Sequence, residues 1–202
     1  MQSGTSTAAV VASAQELNSL EIEQANLHLE QTHNGIIGAL IGLSEAQWRF
    51  NPAPGVWSVA ENMEHIIFVQ ERVLGLIHNQ IPTAPPSPAG RNPGLVDAII
   101  VNQFPNRLTR FPAPEALHPK GDYTLNEARD RMAANTRELA VCLESVPDLR
   151  GHVLESPPLK AVSKGEHTLM DGYQWILAVS AHTERHTKQI LEVRADPEFP
   201  SD

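Results

Sequence analysis

Two histidines one helical turn apart are the residues of this sequence whose types and spacing most directly indicate chemistry. His182 and His186 stand four residues apart, and on a helix that spacing stacks both imidazoles on one face. Two neutral imidazoles so placed can bind one cation. With nine histidines among 202 residues, chance alone gives about 0.4 pairs at this spacing. The pair therefore needs support from another part of the chain.

A third histidine lies in a segment that is predicted to form another helix. Ser58 and Glu61 form the capping-box pattern that starts a helix, and His65 follows two turns later. Apolar residues at helical spacing accompany all three histidines: Val69, Val73 and Leu76 with His65, and Val179, Ile190 and Val193 with the pair. The imidazoles are therefore expected to point inward, where the facing helices of a bundle build metal sites. The alternative is three unrelated core histidines, each hydrogen-bonded separately.

Other polar residues near these segments receive simpler interpretations. Glu61 is the weak candidate for a catalytic base, but its place in the capping box explains it more economically. Glu64 and Glu184 are expected to be solvated or to pair along their helices. Cys142, the only cysteine, is expected to be a small core residue and not a reactive thiol.

The remaining histidines are assigned no metal. His28 and His33 are five residues apart and so lie on different faces of the first helix, where they are expected to be solvated or cap-like, although one of them can line a cavity. His118 belongs to a loop, where surface imidazoles are ordinary. Trp57, just before the helix cap, is expected to pack as a hydrophobic anchor.

Composition narrows the classes of partner and location. A net charge of −9 disfavours wide contact with nucleic acid, because phosphates are repelled. The first Lys or Arg is Arg49, the reverse of a basic helix that seeks a membrane surface, and no run approaches the roughly 20 apolar residues of a membrane span. A single cysteine excludes an intrachain disulfide and fits a cytoplasmic location. Residues 1–12 are predicted to be a loose N-terminus.

Four long helical patterns, separated by Pro and Gly, predict an all-α four-helix bundle in one domain spanning residues 1–202. The expected helices cover about 13–43, 58–77, 124–146 and 171–194, with a second capping box at Thr124 and Glu127. Between them, residues 80–123 form a long Pro-rich crossover loop, in which regular structure is confined to an apolar piece near 95–103. A crossover of this length lets the second and third helices run parallel. No segment is predicted to be a strand.

The stretch from Trp57 to His65, Trp-Ser-Val-Ala-Glu-Asn-Met-Glu-His, together with the distant His182-x-x-x-His186 pair, resembles the DinB/YfiT-like superfamily over most of the chain. The resemblance implies a four-helix bundle of up-down-down-up topology with one metal-binding histidine on the second helix and two on the fourth. By that likeness His65, His182 and His186 become the metal ligands. The family includes thiol-dependent transferases and isomerases and proposed hydrolases, and its members are often dimeric.

Two functional hypotheses follow. The first is a metal-dependent enzyme in which the three histidines hold a divalent transition metal such as zinc, nickel or iron. The metal activates either water for hydrolysis or a low-molecular-weight thiol for S-transfer to a small-molecule substrate. The second is a non-catalytic bundle in which metal staples two helices and the chain serves as a dimerisation or interaction module. A closed site with a fourth protein ligand would favour the second, because structural zinc sites are saturated whereas catalytic sites keep an open position.

Overall fold

The computed structural model describes residues 16–108 and 113–201, and these residues are mostly helical. The four long helices are α1 (Ser19–Ala39), α3 (Val59–Asn79), α5 (Leu125–Ser145) and α7 (Gly172–Arg194). The shorter elements are α2 (Glu45–Arg49), α4 (Pro93–Gln103), α6 (Pro157–Val162) and the strands β1 (Val153–Glu155) and β2 (Leu169–Asp171). The predicted helical class is confirmed, with the two-stranded sheet as an addition.

Each long helix begins with a capping box, in which the first side chain accepts a backbone N–H and a later side chain returns the bond. The capping pairs are Asn18 with Glu21, Ser58 with Glu61, Thr124 with Glu127, and Asp171 with Gln174. The two boxes predicted from sequence are both present. These caps fix the first residues of α3 and α7. They therefore fix how many turns from the helix start His65, His182 and His186 lie.

The first helix is shorter than predicted. Its expected start at Ser13 and the loose terminus at residues 1–12 lie outside the described residues. At the other end α1 stops at Ala39, because the chain turns through Gly42 at φ +74, a conformation that favours glycine. Ser44 then caps the separate helix α2. Leu20, in the first turn of α1, is 59% exposed, whereas Ile22 is partly buried and packs against the core.

Buried apolar residues form two clusters, one at each end of the bundle. One joins the N-terminal halves of α1 and α7 to the C-terminal halves of α3 and α5, and includes Leu29, Ile77, Leu139 and Ile176. The other joins the C-terminal halves of α1 and α7 to the N-terminal halves of α3 and α5, and includes Ile36, Met63, Met132 and Ile190. The start of α3 therefore lies beside the end of α7, which brings residue 65 level with residues 182–186.

The segment predicted as a long crossover loop, residues 80–123, is interrupted by helical structure. It contains α4, which starts two residues before the predicted apolar piece because Asn92 caps it and Pro93 suits the first helical turn. Two single 3-10 turns, Ile81–Thr83 and Glu115–Leu117, flank α4 along the chain. In the described ranges, no helix combines the length and apolar character needed to cross a bilayer.

The expectation that the chain contains no strand is wrong. β1 and β2 pair antiparallel, with Val153 opposite Asp171 and Glu155 opposite Leu169. Three residues per strand are too few to show the alternation by which strands are predicted from sequence. The hairpin has a positional consequence, since β2 ends at Asp171, the N-cap of α7.

A buried charge network ties this hairpin to the bundle. The Arg150 guanidinium lies 2.7 Å from carboxylate oxygens of Glu21 and Asp97 and 3.2 Å from Asp171. Arg91 adds a second contact to Asp171 at 2.9 Å. Burial raises the pKa of Asp171, and Arg150 opposes that shift. The network joins α1, α4 and the start of α7, and thus helps to hold α7 at the height that its histidines require.

Candidate metal centre

The three predicted ligands converge on one point between α3 and α7. Nε2 of His65 lies 3.2 Å from Nε2 of His182, and one ligand atom from each of the three rings lies within 4.8 Å of the others. Two nitrogens bound to zinc at about 2.05 Å with tetrahedral angles are separated by about 3.3 Å. The three histidines therefore form one cluster that could hold a metal ion, and they are not scattered separately through the core.

Backbone and side-chain acceptors leave Nε2 of two rings available for a ligand bond. The Nδ1–H of His65 donates to the carbonyl oxygen of Leu117 at 2.8 Å, and the Nδ1–H of His186 donates to Oδ1 of Asn62 at 2.9 Å. A ring that donates from Nδ1 carries its lone pair on Nε2 when neutral. Such outer contacts orient metal-binding histidines and fix their tautomers.

Asn62 is itself fixed in one orientation. It is fully buried, and its Nδ2 donates to the carbonyl oxygens of Ser58 at 2.8 Å and of Trp57 at 3.3 Å. Because two carbonyls can accept only from the NH2 group, Oδ1 must face His186. The first turn of α3, which places His65, thus also orients Asn62 so that it accepts the Nδ1–H of His186.

The cluster is held in its neutral, metal-binding state. Burial lowers the pKa of His65. Burial, followed by the neighbouring imidazoles, lowers the pKa values of His182 and His186 well below the ordinary histidine range. Charging one ring would place a cation in a site that is shielded from water and close to two further rings. At neutral pH the three rings are therefore uncharged, which is the form of imidazole that binds a metal ion.

Trp57 and His182 define two sides of the cluster. The Trp57 indole stacks on His186 with ring centroids 6.0 Å apart and lies 4.9 Å from the centroid of His65. It covers one side of the cluster and is more than the hydrophobic anchor predicted. His182 is only partly buried, unlike His65 and His186. His182 is therefore the least enclosed of the three residues.

The two glutamates of α3 near the cluster have different roles. Oε2 of Glu61 accepts from the backbone N–H of Ser58 at 2.7 Å and from Nδ2 of Asn51 at 2.6 Å, so the weak candidate for a base serves the helix start. The expectation that Glu64 is solvated or pairs along its helix is wrong. Glu64 is 2% exposed, and its Oε2 accepts from the backbone N–H groups of Lys120 and Gly121, each at 2.5 Å.

The other residues considered from sequence lie outside the cluster. Glu184 pairs with Lys188 at 2.7 Å along α7, as predicted. Cys142 is buried in the core, and burial raises the pKa of its thiol to about 11, in keeping with the unreactive core residue expected. His28 lines a groove between α1 and α7, and neither it nor His33 joins the three ligands.

The sequence analysis missed the second layer around the histidines. Asn62 carries a signal that could have been used, since it is a polar residue on the buried side of an amphipathic helix, three residues before His65. The Leu117 carbonyl carries none, because every residue has a carbonyl and only the fold brings this one to His65.

Comparison with known proteins agrees with this arrangement. A family model described as the DinB superfamily matches residues 28–190, a range that contains α3, the crossover and all three histidines. Neither the curated proteins nor the solved structures that were searched contain a match. Since the family model covers most of the sequence, the chain belongs to the DinB superfamily.

Proposed function

We propose that this protein is a metal-dependent enzyme in which His65, His182 and His186 bind one divalent transition metal. The observation that carries the proposal is the convergence of three neutral imidazoles within 4.8 Å. Two of the rings have Nδ1–H donors already engaged, which leaves Nε2 for the metal. Imidazole nitrogen suits zinc, nickel and iron, so the donor set fits the group.

The chain's own residues prepare the site for chemistry. A divalent ion bound here would supply a Lewis acid able to acidify water or a thiol. Asn62 and the Leu117 carbonyl hold two ligand rings in place, and Trp57 keeps water from one side. The partly exposed edge at His182 gives a small molecule its approach. We propose hydrolysis or thiol-dependent S-transfer as the reaction class, with a low-molecular-weight thiol as cosubstrate in the second case.

The competing function is a non-catalytic bundle in which metal staples α3 to α7. A structural zinc site needs four protein ligands, whereas the cluster formed by the described residues has three members, one of them partly exposed. This favours the enzyme. Exposed apolar residues on α1, Leu20 and Leu27, make a homodimer through that helix a reasonable assembly for either function.

We also infer that the four long helices have up-down-down-up topology within a single domain spanning residues 1–202. Support comes from the two apolar clusters, which pair the N-terminal halves of α1 and α7 at one end and the N-terminal halves of α3 and α5 at the other. A cytoplasmic location is proposed on the single cysteine.

Metal content tests the ligand assignment. Wild-type protein, purified without added chelator and loaded with zinc, nickel or iron, is expected to hold one equivalent, and His182→Ala is expected to lose it. His78→Ala is the matched control, because His78 is an exposed histidine of α3 outside the cluster. Full metal retention by His182→Ala would refute the assignment.

Turnover separates the two functions. The metal-loaded wild type is expected to act on one member of a panel of ester, amide and thiol-transfer substrates, with the activity lost in His182→Ala and kept in His78→Ala. Stoichiometric metal binding without turnover across the panel would favour the stapled bundle.

A further inference from the structure

A segment of the crossover is attached to α3 beside the histidine cluster. We call residues 113–121 the strap; it contains the 3-10 turn Glu115–Leu117. The strap contacts α3 at two places: the Leu117 carbonyl accepts from His65, and the N–H groups of Lys120 and Gly121 donate to Glu64. Arg49 adds a bond to the Gly121 carbonyl at 2.6 Å. The strap is therefore held on the same turn of α3 that carries a proposed metal ligand.

Glu64 makes the stronger of the two attachments. A buried carboxylate is costly unless its oxygens are hydrogen-bonded, and Oε2 accepts two successive backbone N–H groups at 2.5 Å each. Successive amides that converge on one anion form a compact anion-binding arrangement. Charge-assisted bonds of this kind are about twice as strong as neutral ones. The hydrogen bond between the Leu117 carbonyl and His65 joins two neutral groups and is weaker than the Glu64 bonds. Its geometry therefore depends on the bonds that hold the rest of the strap in place.

We propose that Glu64 is a positioning residue for the metal centre, acting through the strap. The inference rests on the proposed function, because it assigns to Glu64 a part in metal binding. By holding Lys120 and Gly121, Glu64 keeps the Leu117 carbonyl where it accepts the Nδ1–H of His65. His65 then presents its Nε2 lone pair to the cluster at all times.

Release of the strap has a defined effect on His65. Without Glu64 the strap keeps the Arg49 bond to the Gly121 carbonyl but loses both bonds from its amides. The Leu117 carbonyl is then held less firmly, and Nδ1 of His65 exchanges its hydrogen bond with water. The ring then samples the other tautomer and other orientations, which lowers the fraction of protein ready to bind metal. Loss of an outer-layer partner of a metal-binding histidine typically weakens metal affinity by about 10–100-fold.

Glu64→Ala and Glu64→Gln test this chain of contacts, with Glu71→Ala as the control. Glu71 lies two turns further along α3 and pairs with Arg131 on the surface. Zn²⁺ affinity is measured by competition with a chromophoric chelator, and the stability of the metal-free proteins by urea unfolding. We expect the dissociation constant to rise about 10–100-fold in Glu64→Ala, to change less in Glu64→Gln, whose amide oxygen still accepts, and to stay unchanged in Glu71→Ala.

A second measurement follows the His65 ring directly. In metal-free wild type, the Nδ1–H proton of His65 should give a slowly exchanging NMR signal, and this signal should be lost in Glu64→Ala. It should persist in Glu64→Gln, whose amide oxygen can still accept from Lys120 and Gly121. This readout needs no metal, so it tests the strap even if the wild type fails to bind zinc and the proposed function falls.

Two results would overturn the inference. One is a Glu64→Ala protein that is less stable than wild type but binds Zn²⁺ with the same affinity, because Glu64 would then be merely structural. The other is an Nδ1–H signal that survives in Glu64→Ala, because the strap would then hold Leu117 without help from the carboxylate.

Discussion

Replacing Asn62 by Leu removes a buried hydrogen-bond acceptor from the candidate metal centre while keeping the number and branching of the side-chain heavy atoms. In the wild type, Oδ1 accepts from Nδ1 of His186 at 2.9 Å, and His186 is almost fully buried. With Leu at position 62 that N–H has no acceptor, or the ring adopts the tautomer that places its proton on Nε2, the atom assigned to the metal. Both outcomes weaken metal binding, because each makes the ring state with a free Nε2 lone pair less favourable.

The size of the effect follows from these contacts. Leaving one buried donor without a partner costs about 1–3 kcal/mol, which should appear as lower stability of the metal-free variant. The Ser58 carbonyl keeps its helical bond from the backbone N–H of residue 62, whereas the Trp57 carbonyl loses the bond from Nδ2. For the metal, loss of the outer partner predicts an affinity about 10–100-fold weaker.

Zn²⁺ competition and the visible spectrum of the Co²⁺ form measure this prediction. Asn62→Asp keeps an acceptor for the Nδ1–H, so its affinity should stay within about tenfold of the wild type, clearly above that of Asn62→Leu. Asn79→Leu, an exposed asparagine at the end of the same helix, serves as the control. Wild-type affinity in Asn62→Leu would refute the reasoning that the Asn62 contact fixes the His186 tautomer.

Two further predictions concern groups away from the metal centre. Arg150→Met should lower the free energy of unfolding by about 3 kcal/mol. It leaves the buried Asp171 with Arg91 as its remaining cation and removes the cation that Asp97 shares with it. The exposed pair of Arg131 and Glu71 should contribute less than about 1 kcal/mol. Urea unfolding of Arg150→Met and Arg131→Ala checks both, and equal effects would contradict this account. Burial raises the pKa of Cys142 to about 11, so only a small fraction of this thiol is thiolate at pH 8. Its reaction with a thiol reagent should therefore be about two hundred times slower than that of free cysteine, with a rate that rises tenfold per pH unit up to pH 10 and reaches the free value in urea. Fast labelling of the native protein at pH 8 would contradict this prediction.

The parts of the fold that sequence predicted are those with local causes. The capping boxes at Ser58 and Thr124 mark their helices through residues three apart, and the His182 and His186 spacing follows from one helical turn. The inward direction of all three histidines followed from the apolar residues in line with them. Each of these signals is complete within fifteen residues of chain, so no knowledge of the tertiary arrangement was required.

The parts that sequence missed depend on contacts between distant segments. Glu64 has the charge of a surface residue, and only the return of residues 120–121 to α3 makes its burial favourable. Arg150 likewise meets Glu21 across more than a hundred residues of chain. In both cases a charged side chain is buried because partners from another segment offset the cost of desolvation, and those partners cannot be paired by reading along the chain.

The crossover has more residues than are needed to join α3 to α5, and some of the additional residues contact the candidate metal centre. The N-terminal halves of α3 and α5 share one apolar cluster, so the chain must travel back along α3, a helix of 21 residues and about 30 Å. About nine extended residues would span that distance, far fewer than lie between Asn79 and Leu125. Part of the excess forms α4, which packs on α7, and its last part forms the strap that gives His65 its acceptor. A shortened crossover could still join α3 to α5, but it would leave His65 without the Leu117 carbonyl. The length of this connection is therefore explained by what it contacts, with α4 on α7 and the strap on His65, and not by the path of the chain alone.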